Sequence, residues 1–145
     1  MENTAMFSCK IGTTDTSAAL GMEIWLDDQK IFATEHVDST VEFQTTVNDN
    51  VGEHELRFIM KNKTIDHTQI NQEGEILKDT CLTIKDVLFE KIDLGHMFIE
   101  QTSYTHDFNG TQPEVTEPFY GSMGCNGTVK LKFTTPIYLW LLETM

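Results

Sequence analysis

Positive charge is scarce in this chain. Ten Lys and Arg residues stand against 23 Asp and Glu over 145 residues, the formal net charge is −13, and Arg57 is the only arginine. Nucleic acids and anionic membrane surfaces are bound through clustered basic side chains, so neither is an expected partner. Long apolar runs are missing as well. The longest, Ile137 to Leu142, is about a third of the roughly 20 residues a membrane-spanning helix needs, and no membrane insertion is expected. The opening Met1-Glu-Asn-Thr-Ala-Met-Phe lacks the basic stretch and apolar core of a secretory leader, which argues against export by a standard leader. Cys9, Cys81 and Cys125 are odd in number, widely spaced and free of any CxxC pattern. At least one must stay unpaired, and reduced thiols in a cytosolic product are expected.

Recognisable catalytic signatures are equally thin. The five histidines, His36, His54, His67, His96 and His106, show no HxH or HExxH spacing, so no zinc site is read from them. The nearest approach to a nucleophile elbow, Gly121-Ser-Met-Gly, has the wrong spacing. No carboxylate pair stands out, and a non-enzymatic protein is expected. Asn62-Lys-Thr, Asn109-Gly-Thr and Asn126-Gly-Thr match the glycosylation acceptor pattern, which has meaning only in a secreted protein, and read here as turn chemistry.

Strand periodicity is what the chain does possess. Leu20, Met22, Ile24 and Leu26 alternate with Gly21, Glu23, Trp25 and Asp27, the period of two of a strand with one buried face. Asp27-Asp28 turns the chain into Ile31-Phe32-Ala33. Val41, Phe43, Thr45 and Val47 repeat the alternation, and Asn48-Asp-Asn-Val-Gly closes it as a loop. His54, Leu56, Phe58 and Met60 then share one face against Glu53, Glu55 and Arg57. Residues 64–79 read as a long surface excursion, Leu82 to Leu94 as a strand pair with a helix as the alternative, and Met97 to Phe108 as extended chain. Residues 109–127 form a second long loop. Thr128 to Phe133 alternates with Lys130 and Lys132 outward, while Ile137 to Leu142 is apolar on both sides of a strand reading. Asn109-Gly and Asn126-Gly supply residues suited to φ > 0 in tight turns. No repeat or linker divides residues 1–145, so the predicted fold is all-β: a single-domain antiparallel β-sandwich of eight or nine strands, jelly-roll-like.

Three sets of side chains are candidates for function. Parity places Trp25 opposite Met22, Ile24 and Leu26, flanked by Glu23 and Asp27. An indole beside carboxylates can stack on a sugar ring while the acids bond its hydroxyls, or it can pack under a loop or subunit. Asp27, Asp28, Asp49 and Glu53 offer the oxygen ligands calcium prefers, without EF-hand spacing. Solvated turn carboxylates are the competing reading, and no other cofactor is implied. Tyr138, Trp140 and Leu142 share one face of the terminal segment, where aromatics would suit either a core or the centre of a subunit contact.

The stretches Met22-Glu-Ile-Trp-Leu-Asp-Asp, Gly52-Glu-His-Glu-Leu-Arg-Phe-Ile-Met, Tyr104-Thr-His-Asp-Phe-Asn-Gly and Phe119-Tyr-Gly-Ser-Met-Gly-Cys-Asn-Gly through Phe133-Thr-Thr-Pro-Ile-Tyr-Leu-Trp resemble small uncharacterised proteins of marine tailed bacteriophages. That resemblance runs from about Leu20 to Met145. It implies a virion-associated structural protein, such as a capsid decoration, neck or tail-appendage module. It would be assembled in the cytoplasm of the infected bacterium, attached to other virion proteins, with a homo-oligomer left open. A looser resemblance, through Glu23-Ile-Trp-Leu-Asp-Asp-Gln-Lys-Ile and the Gly52-Glu-His-Glu-Leu-Arg strand, is to β-sandwich carbohydrate-binding modules. It implies recognition of host cell-surface glycan, with calcium as an optional helper.

Overall fold

Alternating apolar and polar side chains sort the chain into two antiparallel sheets that bury their apolar faces against each other. The computed structural model describes residues 3–14, 20–63, 68–70, 76–108 and 110–144. Its strands are β1 (Thr4–Thr13), β2 (Gly21–Leu26), β3 (Gln29–Thr34), β4 (Val41–Asn48), β5 (Gly52–Lys61), β6 (Thr68–Ile70), β7 (Ile76–Asp79), β8 (Leu82–Phe89), β9 (Ile92–Asp93), β10 (Thr102–His106), β11 (Val115–Pro118), β12 (Ser122–Met123) and β13 (Gly127–Thr135). Two short helices complete it, α1 (His96–Gln101) and α2 (Ile137–Thr144). One sheet runs β12-β8-β1-β4 with β9 beside β8, the other runs β11-β10-β13-β5-β2-β3, and β6 pairs with β7 as a separate ribbon. This is the antiparallel, jelly-roll-like β-sandwich the alternation predicts, with more and shorter strands than the eight or nine expected.

Between the sheets, Phe7 of β1 meets Phe89 of β8 with ring centroids 5.0 Å apart. Across the gap it meets Phe58 of β5 at 6.2 Å. Phe89 in turn reaches Phe133 of β13 at 4.9 Å. Tilted ring pairs of this kind add roughly 0.5–1.5 kcal/mol each to the area they bury. The β13–β5 register runs from Gly127 opposite Met60 to Thr135 opposite Gly52. It sends Val129, Leu131 and Phe133 into the core and leaves Lys130, Lys132 and Thr134 on the outer face.

Several expectations change. The terminal segment is a helix, not a strand: the Pro136 carbonyl accepts bonds from Leu139 N (3.1 Å) and Trp140 N (3.3 Å). Ile137, Trp140 and Leu141 are buried together. Their i, i+3, i+4 spacing needs only one covered face, so a segment apolar on both strand faces does not require a second layer. Met97 to Phe108 is not extended throughout, because α1 interposes a turn that buries Met97 and Phe98 before β10. Residues 109–127 contain β11 and β12, and within 64–79 the described residues form the β6–β7 ribbon. The Asn-Gly pairs serve differently. Gly110 does take a positive φ of 85°, whereas Gly127 is needed for space, since a Cβ there would lie 2.4 Å from the Thr105 carbonyl oxygen. Asn126 clamps a neighbouring segment: its Oδ1 accepts from Lys63 N and its Nδ2 donates to Lys63 O, both at 2.9 Å. Asn109 lies outside the described residues.

Candidate functional site

The outer face of the six-stranded sheet gathers the polar side chains of β5 and β13 into a ladder. Glu53 stands opposite Thr134, Glu55 opposite Lys132, and Arg57 opposite Lys130. At about 3.4 Å per residue, these three rungs span about 14 Å. A cleft of about 560 Å³ opens where the ladder meets the β2–β3 turn and α2, lined by Asp27, Glu53, Glu55, Lys132, Thr134 and Trp140, with His54 and Phe133 also at its wall. Ligand clefts commonly enclose about 300–1,000 Å³ and set a few polar groups against apolar walls. A second depression of about 370 Å³ lies on the opposite sheet, around Lys10, Glu42, Gln44 and Asp86. It has no aromatic residue other than Phe43, so the first cleft is the better candidate.

The cleft is held rigidly on one side. Asp27, at φ 54° in the turn, fixes two neighbours with its carboxylate. Oδ2 lies 2.9 Å from His54 Nδ1, and Oδ1 accepts from Glu55 N at 2.9 Å. His54 Nε2 faces the Asn48 carbonyl at 3.1 Å, and the ring stacks on Phe133 at 5.4 Å. Trp140 packs edge-on against Phe89 (5.8 Å) and Phe133 (6.2 Å), so the floor belongs to the core. Glu53, Lys132 and Thr134 stand exposed at the rim.

The sugar-platform set divides. Trp25 and Glu23 do sit together on the outer face, with Trp25 Nε1 donating to Glu23 Oε1 at 3.1 Å. The indole is not an open platform, however. Arg57 on β5 and Lys30 on β3, its register partners on either side, hold their cationic groups 5.5 and 6.0 Å from the ring centre. Such cation–π contacts are worth roughly 0.5–1 kcal/mol at exposed sites. Lys61 lies 3.2 Å from Glu23 and 2.9 Å from Glu35. The hydrogen bonds from Lys61 and then Trp25 pull the Glu23 carboxyl below its usual range, and those from Lys61 and Asn62 do the same for Glu35. The two carboxylates raise Lys61 in return. Asp27 belongs instead to the cleft.

The calcium set does not converge. Calcium takes about six to eight oxygens, and among the described residues no three His, Cys, Asp or Glu side chains are grouped to hold a metal. Asp27 is committed to His54 and Glu55. Asp49 is 9% exposed and accepts from Ile137 N at 2.7 Å, which makes it the cap of α2. Asp28 is exposed at its turn, and Glu53 alone of the set faces the cleft freely. The interface set also divides: Tyr138 and Leu142 are 53% and 72% exposed, one helical turn apart, while Trp140 is 6% exposed. A strand reading puts all three on one face; the helix rotates Trp140 inward. The cleft itself was missed, because its members come from the β2–β3 turn, two strands and a helix distant in sequence. The one local signal was the run of alternating charges Glu53, Glu55 and Arg57.

No family model and no curated protein matches the chain. Among solved structures, it is similar to vCBM60, one of the calcium-dependent carbohydrate-binding modules, in its selenomethionine form. That match has a TM-score of 0.54 and 8% identity, covering 88% of this chain and 89% of that one. It is also similar to vCBM60 in complex with galactobiose, with a TM-score of 0.51 and 9% identity, covering 87% of this chain and 96% of that one. At such identities the shared feature is the β-sandwich fold.

Proposed function

We propose that the protein is a non-catalytic carbohydrate-binding module whose saccharide lies in the cleft at the end of the β5–β13 ladder. The observation that carries this reading is the cleft's composition: acceptors and donors on Glu53, Glu55, Lys132 and Thr134 at the rim of a pocket walled by Trp140. Sugars present alternating hydroxyl edges and apolar ring faces, and such a wall satisfies both. The fold shared with carbohydrate-binding modules supports the same reading. Catalysis is not supported. A glycosidase needs one carboxylic acid desolvated enough to stay protonated, whereas Glu53 is exposed and the Asp27 side chain, 48% exposed, is fixed to His54. The virion placement implied by the phage-protein resemblance draws no support from the structural neighbours.

The described donors do not fit calcium, so the binding proposed here is direct. Glycan-array screening of the intact protein, with and without a calcium chelator, tests it. Binding that survives chelation and falls several-fold in Glu53→Gln is expected. Absence of binding to every glycan refutes the module, and binding abolished by the chelator refutes the direct contact. Assay for new reducing ends should find none released.

A further inference from the structure

Although the chain carries a net charge of −13, five of its ten basic residues, Lys30, Arg57, Lys61, Lys130 and Lys132, belong to the three central and edge strands β3, β5 and β13 of one sheet. Lys30 and Lys61 are neutralised by Glu23 and Glu35. The remaining three share one carboxylate, Glu55, which pairs with Arg57. Lys130 is directly opposite Arg57 across the ladder, and like charges so placed destabilise a sheet. Neither Lys130 nor Lys132 forms an ion pair with a described residue. The Glu55 carboxylate stands 3.6 Å from Arg57 Nε, beyond hydrogen-bonding distance, and that buried nitrogen has no acceptor among the described residues. One Arg57 N–H is spent on the Asp27 carbonyl at 2.9 Å, and Trp25 backs the guanidinium plane. The sheet therefore holds a rung of two cations, Arg57 and Lys130, with a single paired carboxylate, Glu55, one step along the ladder from the cleft.

Resting on the carbohydrate-binding reading, we infer that Lys130, Lys132 and Arg57 bind an anionic substituent, a uronate carboxylate or a sulfate ester, on a saccharide whose neutral hydroxyls occupy the Glu53 end of the cleft. The ladder then has polarity. Carboxylates at one end accept from hydroxyls, and cations at the other receive the anion through charge-assisted bonds. The acidic remainder of the molecule repels a densely charged polyanion at long range, so a glycan with sparse acidic substituents fits better than a continuous polyuronate. The like-charge pair is the cost of leaving that rung ready.

Titration of the full chain with three oligosaccharides of one backbone, neutral, uronate-substituted and sulfated, tests the inference. A substituted form should bind about tenfold more tightly than the neutral one, with the advantage shrinking as salt rises, and which form gains identifies the substituent. Lys130→Gln, which leaves the cleft lining intact, should cut that tenfold advantage at least threefold while neutral binding stays within twofold. The same variant should raise the melting temperature by about 1–3 °C, because a repulsive cross-strand pair is removed. Lys85→Gln, on the other sheet, should change neither. Equal affinity for all three saccharides, or equal loss for all three in Lys130→Gln, overturns the anionic site while leaving the module intact. Failure of all three to bind refutes both.

Discussion

Replacing Asp49 with Ala separates a structural carboxylate from a metal ligand. Asp49 lies in the loop between β4 and β5, and its Oδ1 receives the Ile137 N–H, 88 positions away, at 2.7 Å in a buried setting. Its own N–H donates to the Asn3 carbonyl at 2.9 Å. Ile137 begins α2, so this N–H belongs to the first helical turn, which has no partner within the helix. Loss of a helix-capping oxygen costs about 0.5–2 kcal/mol, and stranding a buried donor costs about 1–3 kcal/mol. These describe the same bond and are not summed, so Asp49→Ala should cost about 2 kcal/mol. For a domain of this size that is a melting-temperature drop of about 6–10 °C. Asp49→Asn retains an acceptor and loses only the charge facing the helix dipole, about 0.3–1 kcal/mol, for a drop of about 1–4 °C. Differential scanning calorimetry with and without added calcium reads both variants. A shift under 1 °C for Asp49→Ala, or a stabilisation by calcium that disappears with it, refutes the capping role.

Two further outcomes follow from burial. Trp140→Ala should cost about 3–5 kcal/mol in urea unfolding, the range for emptying a large core site, whereas Tyr138→Ser and Leu142→Ser should each stay within about 0.5 kcal/mol; comparable losses in all three would mean that α2 is turned differently. Among the thiols, burial pushes Cys9 up to about 12, so at pH 8 a thiol reagent should label native Cys81 and Cys125 far faster than Cys9, and unfolding should abolish the difference. The folded thiol titrates above the unfolded one. Its contribution to stability is therefore complete below about pH 9 and declines as pH climbs toward 12; Cys9 reacting in the native state as fast as the other two would refute its burial.

Most strands were legible because each carries one buried face. The alternation in β2, β4, β5 and β13 identifies the core residues Met22, Phe43, Leu56 and Phe133 directly. β1 carries the same signal where no strand is predicted, since Ala5, Phe7, Cys9 and Ile11 alternate just as regularly. α2 failed for a different reason. Six consecutive apolar residues contain both periods, and only the bond pattern from Pro136 and the distant cap from Asp49 decide between them. The cleft was illegible because register, not local pattern, brings Asp27, Glu53 and Trp140 together. Trp25 was placed on the correct face, but its neighbours across the ladder were unknowable without strand order.

The β13–β5 register also has a temporal side. Gly52 and Thr135 are separated by 83 positions, so β5 must wait for nearly the whole chain before its second edge is paired. The hairpin of β2 and β3 closes across two residues, whereas the ladder bearing the cleft carries a large loop-closure entropy and belongs among the late, slow steps of a β-rich fold. During synthesis that edge of β5 stays open. The Glu53, Glu55, Arg57 and Lys61 side chains on its outer face then act as gatekeepers against pairing with another nascent chain.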